Sequence, residues 1–179
     1  MNWKLIWKPV LALVLACGIL LSLSGALAET KAAKQQEHDR MVMGYLLMDS
    51  ETFTEEAYSG EDTAITAVYK GETGYVVETT VDGYADRLVL WIGVKNDGYV
   101  TGITVRDLDE TFGLGRNAAS DVDFLLQYLR NTGNAAVGEN IDAITGATVS
   151  SKAVTKAVNS AVGFVTGADV SSGATEWGG

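Results

Sequence analysis

The chain has 179 residues, with 13 Lys and Arg against 23 Asp and Glu, one cysteine and one histidine. One cysteine rules out an internal disulfide framework and iron–sulfur ligation, and a lone histidine cannot build a metal site. The net charge of −10 argues against nucleic acid or anionic lipid as the partner surface.

Twenty residues from Pro9 to Ala28 pass without a charge, about the length of helix that crosses the hydrocarbon layer. Lys4 and Lys8 precede them, and Trp3 and Trp7 stand where an aromatic belt would lie. This pattern predicts a single span of the cell (inner) membrane, with a cytoplasmic N-terminus and the remaining chain outside. Ala26-Leu27-Ala28 also reads as a signal-peptidase site, so cleavage of 1–28 stays open beside a retained anchor; the long apolar run favours the anchor. Apolar residues continue beyond Cys17, unlike a lipoprotein site, and Cys17 reads as an ordinary residue of the span. Two of the thirteen basic residues and no acidic ones precede residue 29, so the rest carries 11 against 23, or −12.

Residues 29–48 are polar and helix-prone, then turn apolar at Met41, Met43, Leu46 and Leu47. They are expected to continue the first helix outward and dock the soluble part, with His38 solvated and the methionines used for packing. The acidic, Ser-, Thr- and Gly-rich stretch 49–62 reads as a linker or loop. Four strands are expected at 64–69, 75–81, 87–94 and 99–105, separated by short glycine-bearing turns. Such turns imply antiparallel neighbours, and the apolar run 88–94 should be interior to the sheet. A helix over 121–130 and a loop over 131–140 follow. The class is α+β: an antiparallel sheet with helices on one side.

Gly113-Leu-Gly-Arg-Asn-Ala118 fits the dinucleotide pattern G-x-G-x-x-A, but Thr132-Gly-Asn follows the next helix where a parallel strand is required. No nucleophile–histidine pair, phosphate loop with lysine, or metal-ligand spacing is present. The strongest pattern is Asp142-Ala-Ile-Thr-Gly-Ala-Thr148, running into an amphipathic helix. Val149, Ala153, Val154, Ala157, Val158, Ala161, Val162 and Val165 form its apolar stripe, while Ser151, Lys152, Thr155, Lys156 and Asn159 fall elsewhere. Gly146 permits close backbone approach, and Thr145 and Thr148 place hydroxyls beside the unpaired amides of a helix head, which attracts phosphate. The plain alternative is that Thr145 or Thr148 only caps the helix. Asp169-Val-Ser-Ser-Gly-Ala-Thr175 repeats the pattern, but the chain ends four residues later with no helix behind it.

Asp-x-x-Thr-Gly-Ala-Thr before a Ser-bearing helical turn resembles the flavinylation motif of bacterial FMN-binding domains. These domains occur in the G subunit of the Rnf electron-transport complex and the C subunit of the sodium-translocating NADH:quinone reductase. The resemblance runs from about Ala67 to Val165, with Tyr69-Lys, Gly74-Tyr-Val-Val and Asp82-Gly-Tyr84 at the places of strand signatures. Glu110-Thr-Phe-Gly-Leu-Gly115 is similar to the family's Glu-Thr-Pro-Gly-Leu-Gly loop, with Phe112 where the family has Pro. The segment Arg106-Asp-Leu-Asp109 before it lacks the histidine often found there.

The resemblance implies that Thr148 carries FMN through a phosphoester bond, installed by a separate flavin transferase from FAD. Asp142, Thr145, Gly146 and Ala147 would form the recognition segment. Glu110, Thr111, Gly113, Leu114 and Gly115 would lie against the flavin ring, and Trp91, Tyr99 or Phe112 could stack on it or serve as core. The implied protein is an electron-transfer subunit working with other membrane subunits of an ion-translocating oxidoreductase, rather than a stand-alone catalyst. An anchored flavoprotein feeding an extracytoplasmic reductase has the same features, and a flavin-free tethered binding or assembly module remains the alternative of a different class. The expected divisions are an anchor over 1–28, a juxtamembrane helix and linker over 29–62, an FMN-binding domain over 63–167 and a polar tail over 168–179.

Overall fold

A computed structural model of the chain describes residues 30–84, 87–108, 121–129 and 131–168. The expected span Pro9–Ala28, the loop Glu110–Gly115, Phe112 and the second motif copy lie outside them. Among the described residues no helix is long and apolar enough to cross a membrane. The chain divides into two compact units, one ending at Met41 and the other beginning at Val42. A helix, α1, covers 30–46 and contributes to both. In the first unit its side chains, His38 among them, are almost all exposed, and Gln35 Nε2 donates to Asp39 Oδ1 one turn on at 2.9 Å. A polar helix with such i, i+4 pairs suits solvent on most sides.

The second unit is built on a five-stranded antiparallel sheet in simple sequential order. Its strands are β1 (Thr54–Glu56), β2 (Ile65–Lys70), β3 (Gly74–Asp82), β4 (Arg87–Lys95) and β5 (Val100–Leu108). Two helices follow, α2 (Val122–Leu126) and α3 (Thr148–Thr166). Alternation sorts the side chains. Val77 and Val81 of β3 face α3 together with Leu88, Leu90, Ile92 and Val94 of β4, and Val77 pairs with Ile92 in register. α3 packs mainly on β3 and β4, and Phe164 meets Tyr58 and Tyr75 edge-on.

Three expectations are corrected. Helices were expected on one side only, and α2 and α3 do share a face. The other face is covered at its centre by Met43, Leu46 and Leu47, which bury Val76 and Trp91. That is why β4 reads as continuously apolar: both of its faces are covered. The approach is close because Gly93 and Gly102 stand opposite each other on β4 and β5. A Cβ on Gly93 would lie 2.5 Å from the Leu46 carbonyl oxygen, the same oxygen that accepts the Thr101 hydroxyl.

The second correction is in the expected linker, which contains the edge strand β1, paired antiparallel to β2. It is tied down by Glu72, whose carboxylate accepts from Glu51 N (3.0 Å), Thr52 N (3.2 Å) and Thr52 Oγ1 (2.6 Å). The Thr52 hydroxyl, followed by backbone N–H donors, holds the Glu72 carboxyl down at about 2. A three-residue strand carrying Glu55 and Glu56 also blunts the sheet edge. Third, the helix expected over 121–130 ends at Leu126 and gives way to turns. Asp121 caps it by accepting from Phe124 N at 3.0 Å, as an N-terminal carboxylate should.

Candidate functional site

The loop over 131–147 brings the chain to the head of α3, and side-chain amides and hydroxyls fix it in steps. Asn131 Oδ1 accepts from Gly133 N (2.8 Å), and Asn140 accepts from Ala136 N and donates to the Asn134 carbonyl, both at 2.8 Å. Asn159, buried in α3, accepts from Ala135 N at 3.2 Å and donates to its carbonyl at 2.8 Å. Gln127 does the same for Asp142, accepting from its N–H at 2.7 Å and donating to its carbonyl at 3.2 Å. Ser151 closes the series: its Oγ accepts from Ile144 N (3.2 Å) and donates to the Ala147 carbonyl (3.0 Å).

Within the motif, Asp142, Thr145, Gly146 and Thr148 are exposed, while Ala147 is buried. Gly146 has φ of 83°, in the left-handed region that a β-carbon disfavours. It turns the chain so that Ala147, with φ of −121°, becomes the N-cap of α3. Thr148 is therefore the first helical residue, one position earlier than the apolar stripe suggests. Neither Thr145 nor Thr148 caps the helix: the N-cap has no side-chain hydrogen bond, and no acidic residue sits in the first turn. The head of this 19-residue helix thus presents an exposed threonine beside the positive end of the dipole, with no acidic residue in its first turn.

The helix differs from its expected pattern. Val149, placed on the apolar stripe, is 51% exposed, whereas Ser151, Thr155 and Asn159, placed elsewhere, are buried. They form a second inward face at i, i+4 spacing, and each is satisfied. Thr155 Oγ1 donates to the Ser151 carbonyl at 2.8 Å and lies 2.7 Å from the Tyr128 hydroxyl.

Two residues considered for stacking lie away from the motif. Trp91 is buried in the cluster on the sheet face opposite α3. Its Nε1 donates to Glu78 at 2.8 Å, and the Arg106 guanidinium lies 4.0 Å over its ring. Tyr99 is exposed next to Gly98, which approaches Thr166 at the far end of α3. At 1.5 Å per residue that end is about 27 Å from Thr148. The exposed aromatic beside the helix head is Tyr84, whose N–H donates to Ser150 Oγ at 3.3 Å. Asp82-Gly-Tyr84 was legible as a strand-end signature, but nothing in the sequence tied it to the first turn of α3. Among the described residues no group of three or more His, Cys, Asp or Glu could hold a metal ion.

An α+β domain with an uncapped, acid-free helix head and an exposed threonine at its first position is suited to a phosphate-bearing cofactor. The FMN-binding domain family matches residues 83–163, which run from the β3–β4 turn to the last turn of α3. The chain is 34% identical to the G subunit of the proton-translocating ferredoxin:NAD(+) oxidoreductase complex of Clostridium ljungdahlii over 143 residues, 75% of this chain and 76% of that one. It is 30% identical to the G subunit of the Na(+)-translocating ferredoxin:NAD(+) oxidoreductase complex of Acetobacterium woodii, covering 90% and 92% of the two chains. The G subunit of the ion-translocating oxidoreductase complex of Methanosarcina acetivorans is 31% identical, covering 87% and 89%. The chain belongs to this family of G subunits with an FMN-binding domain.

Proposed function

We propose that this protein is the flavin-bearing G subunit of an Rnf-type ion-translocating ferredoxin:NAD oxidoreductase complex, carrying FMN covalently on Thr148. The observation that carries the reading is the head of α3, where an exposed hydroxyl, free of capping duty, opens an acid-free first turn inside an FMN-binding domain. In loading, the bond from Thr148 Oγ to the FMN phosphorus forms as the pyrophosphate bond of FAD breaks. AMP leaves, and the hydroxyl proton passes to a base of the flavin transferase. The phosphodiester keeps one negative charge, which the helix head stabilises by about 0.3–1 kcal/mol where exposed.

When bound, FMN supplies the one- and two-electron chemistry; the chain binds and positions it. Asp142, Thr145, Gly146 and Ala147 form the segment the transferase reads, and Glu110, Thr111, Gly113, Leu114 and Gly115 serve the ring. The uncharged segment Pro9–Ala28 holds the domain at the outer face of the membrane beside the other subunits of the complex. The names of the relatives, each one part of a complex, favour this over a stand-alone flavoprotein.

The test is co-expression of the full chain with a flavin transferase. The denatured protein should fluoresce in a gel under ultraviolet light and gain the mass of one FMN unit. Thr148→Ala should abolish both signals, and Thr175→Ala should leave them intact. Loss of fluorescence only with Thr175→Ala would move the cofactor to the second motif copy.

A further inference from the structure

Gln127 follows α2 and is exposed, yet both ends of its amide are engaged with one residue. Its Oε1 accepts the Asp142 N–H at 2.7 Å and its Nε2 donates to the Asp142 carbonyl at 3.2 Å. One side chain thereby satisfies the main-chain donor and acceptor of a single residue, as a neighbouring strand would. Among the described residues these are the main-chain hydrogen bonds of Asp142.

The clamp has a firm mount. The Gln127 N–H bonds to the Phe124 carbonyl at 3.2 Å, and its neighbour Tyr128 is fully buried and bonded to Thr155 of α3 at 2.7 Å. At the other end of the motif Ser151, also of α3, holds Ile144 and Ala147. Both ends of the motif are thus referred to one helix by separate routes, through Tyr128 and Gln127 at Asp142 and through Ser151 at Ala147. Between the two anchor points Thr145 and Gly146 stand exposed, and Thr148 follows directly.

We propose that Gln127 is a positioning residue for covalent loading: it holds Asp142 at a fixed place relative to the Thr148 hydroxyl, so the transferase meets the motif already in one conformation. The inference rests on Thr148 being the attachment point. A modifying enzyme that must order its target segment on encounter spends binding free energy on that ordering, and a preformed segment removes the loss. Gln127 is outside the seven-residue motif, so a sequence pattern cannot carry this contribution.

The experiment uses the full chain, purified without flavin, and follows loading by transferase and FAD from the fluorescence of the denatured protein. Wild type is compared with Gln127→Leu, Gln127→Glu, Leu46→Ala and Thr148→Ala. Alongside loading, hydrogen exchange of the Asp142 amide and the thermal midpoint are measured. Gln127→Leu should lose Asp142 amide protection, keep a midpoint within a few degrees of wild type, and load with kcat/KM lowered about tenfold. Gln127→Glu keeps the acceptor for the Asp142 N–H but turns a second oxygen towards its carbonyl, so it should be intermediate in both readouts. Leu46→Ala, which loosens the domain from the other face of the sheet, should lower the midpoint and load at the wild-type rate.

Loading of Gln127→Leu within twofold of wild type, with the amide protection gone, would overturn the proposal. So would unchanged Asp142 protection in that variant. Should Gln127→Leu fail to fold, the same comparison between Gln127→Glu and wild type decides. A wild-type chain that takes up no flavin, or a Thr148→Ala chain that loads equally well, would instead remove the attachment reading beneath it.

Discussion

Tyr128 shows how much one side chain behind the motif carries. Its ring is fully buried against Phe124, edge to face at 5.3 Å between centroids, and its hydroxyl lies 2.7 Å from Thr155 Oγ1. Thr155 gives its own proton to the Ser151 carbonyl, so the phenol is the donor. Burial pushes the Tyr128 hydroxyl well above its ordinary value of 10.0. The folded form therefore stays protonated where the unfolded phenol ionises. The unfolded chain then binds fewer protons, and stability falls as pH rises. This contribution is complete below pH 10 and is lost from there upward, at a limiting slope of about 1.4 kcal/mol per pH unit. Tyr128→Phe should cost about 1 kcal/mol at neutral pH and remove that slope. Urea denaturation of both proteins between pH 8 and 11 checks it, because the other titrating groups are common to the two. Equal slopes above pH 10 would show that Tyr128 is not the group responsible.

At the scale of the element, α3 is two helices in one. Its apolar face was legible from spacing, since Val154, Ala157, Val158, Ala161 and Val162 are all fully buried. The polar face at Ser151, Thr155 and Asn159 was not, because a small polar side chain reads as solvated unless a distant loop is known to come and meet it. Asn159 matters most here. It satisfies both the N–H and the carbonyl of Ala135, itself 1% exposed. Asn159→Ala leaves two buried main-chain groups unpaired, at about 1–3 kcal/mol for each. A loss of about 2–4 kcal/mol is expected in equilibrium denaturation, whereas Lys156→Ala on the exposed side should stay within about 0.5 kcal/mol. A cost for Asn159→Ala no larger than that of the lysine variant would mean that water replaces the amide. The same blindness explains β1: three residues at or near the surface, just after a segment held at Glu51 and Thr52 by a carboxylate from the β2–β3 turn, leave no periodic trace. β2 to β5, by contrast, have alternation and glycine turns that local rules can read.

For the whole molecule, the question is where the folded domain begins. Sequence reading set that boundary near residue 63, on composition, because the acidic stretch before it looked unstructured. The packing sets it earlier. Met43, Leu46 and Leu47 are buried against Val76 and Trp91, and Leu46 accepts the Thr101 hydroxyl across the Gly93–Gly102 pair. These apolar residues at the end of α1 were legible as a docking turn, but nothing in their own spacing shows which hollow of the sheet receives them. Two truncations separate the alternatives. A chain starting at Val42 retains every described contact of the second unit and should unfold cooperatively at close to the full-length midpoint. A chain starting at Glu51 loses the cover of one sheet face. With large-to-small changes at such sites costing about 2–5 kcal/mol each, the deletion should destabilise the domain by more than about 3 kcal/mol. Trp91, 1% exposed in the intact fold, should then shift its fluorescence to the red in the native baseline. If both truncated chains melted together with the same emission maximum, the α1 end would be an ornament of the fold and the boundary drawn from composition would stand.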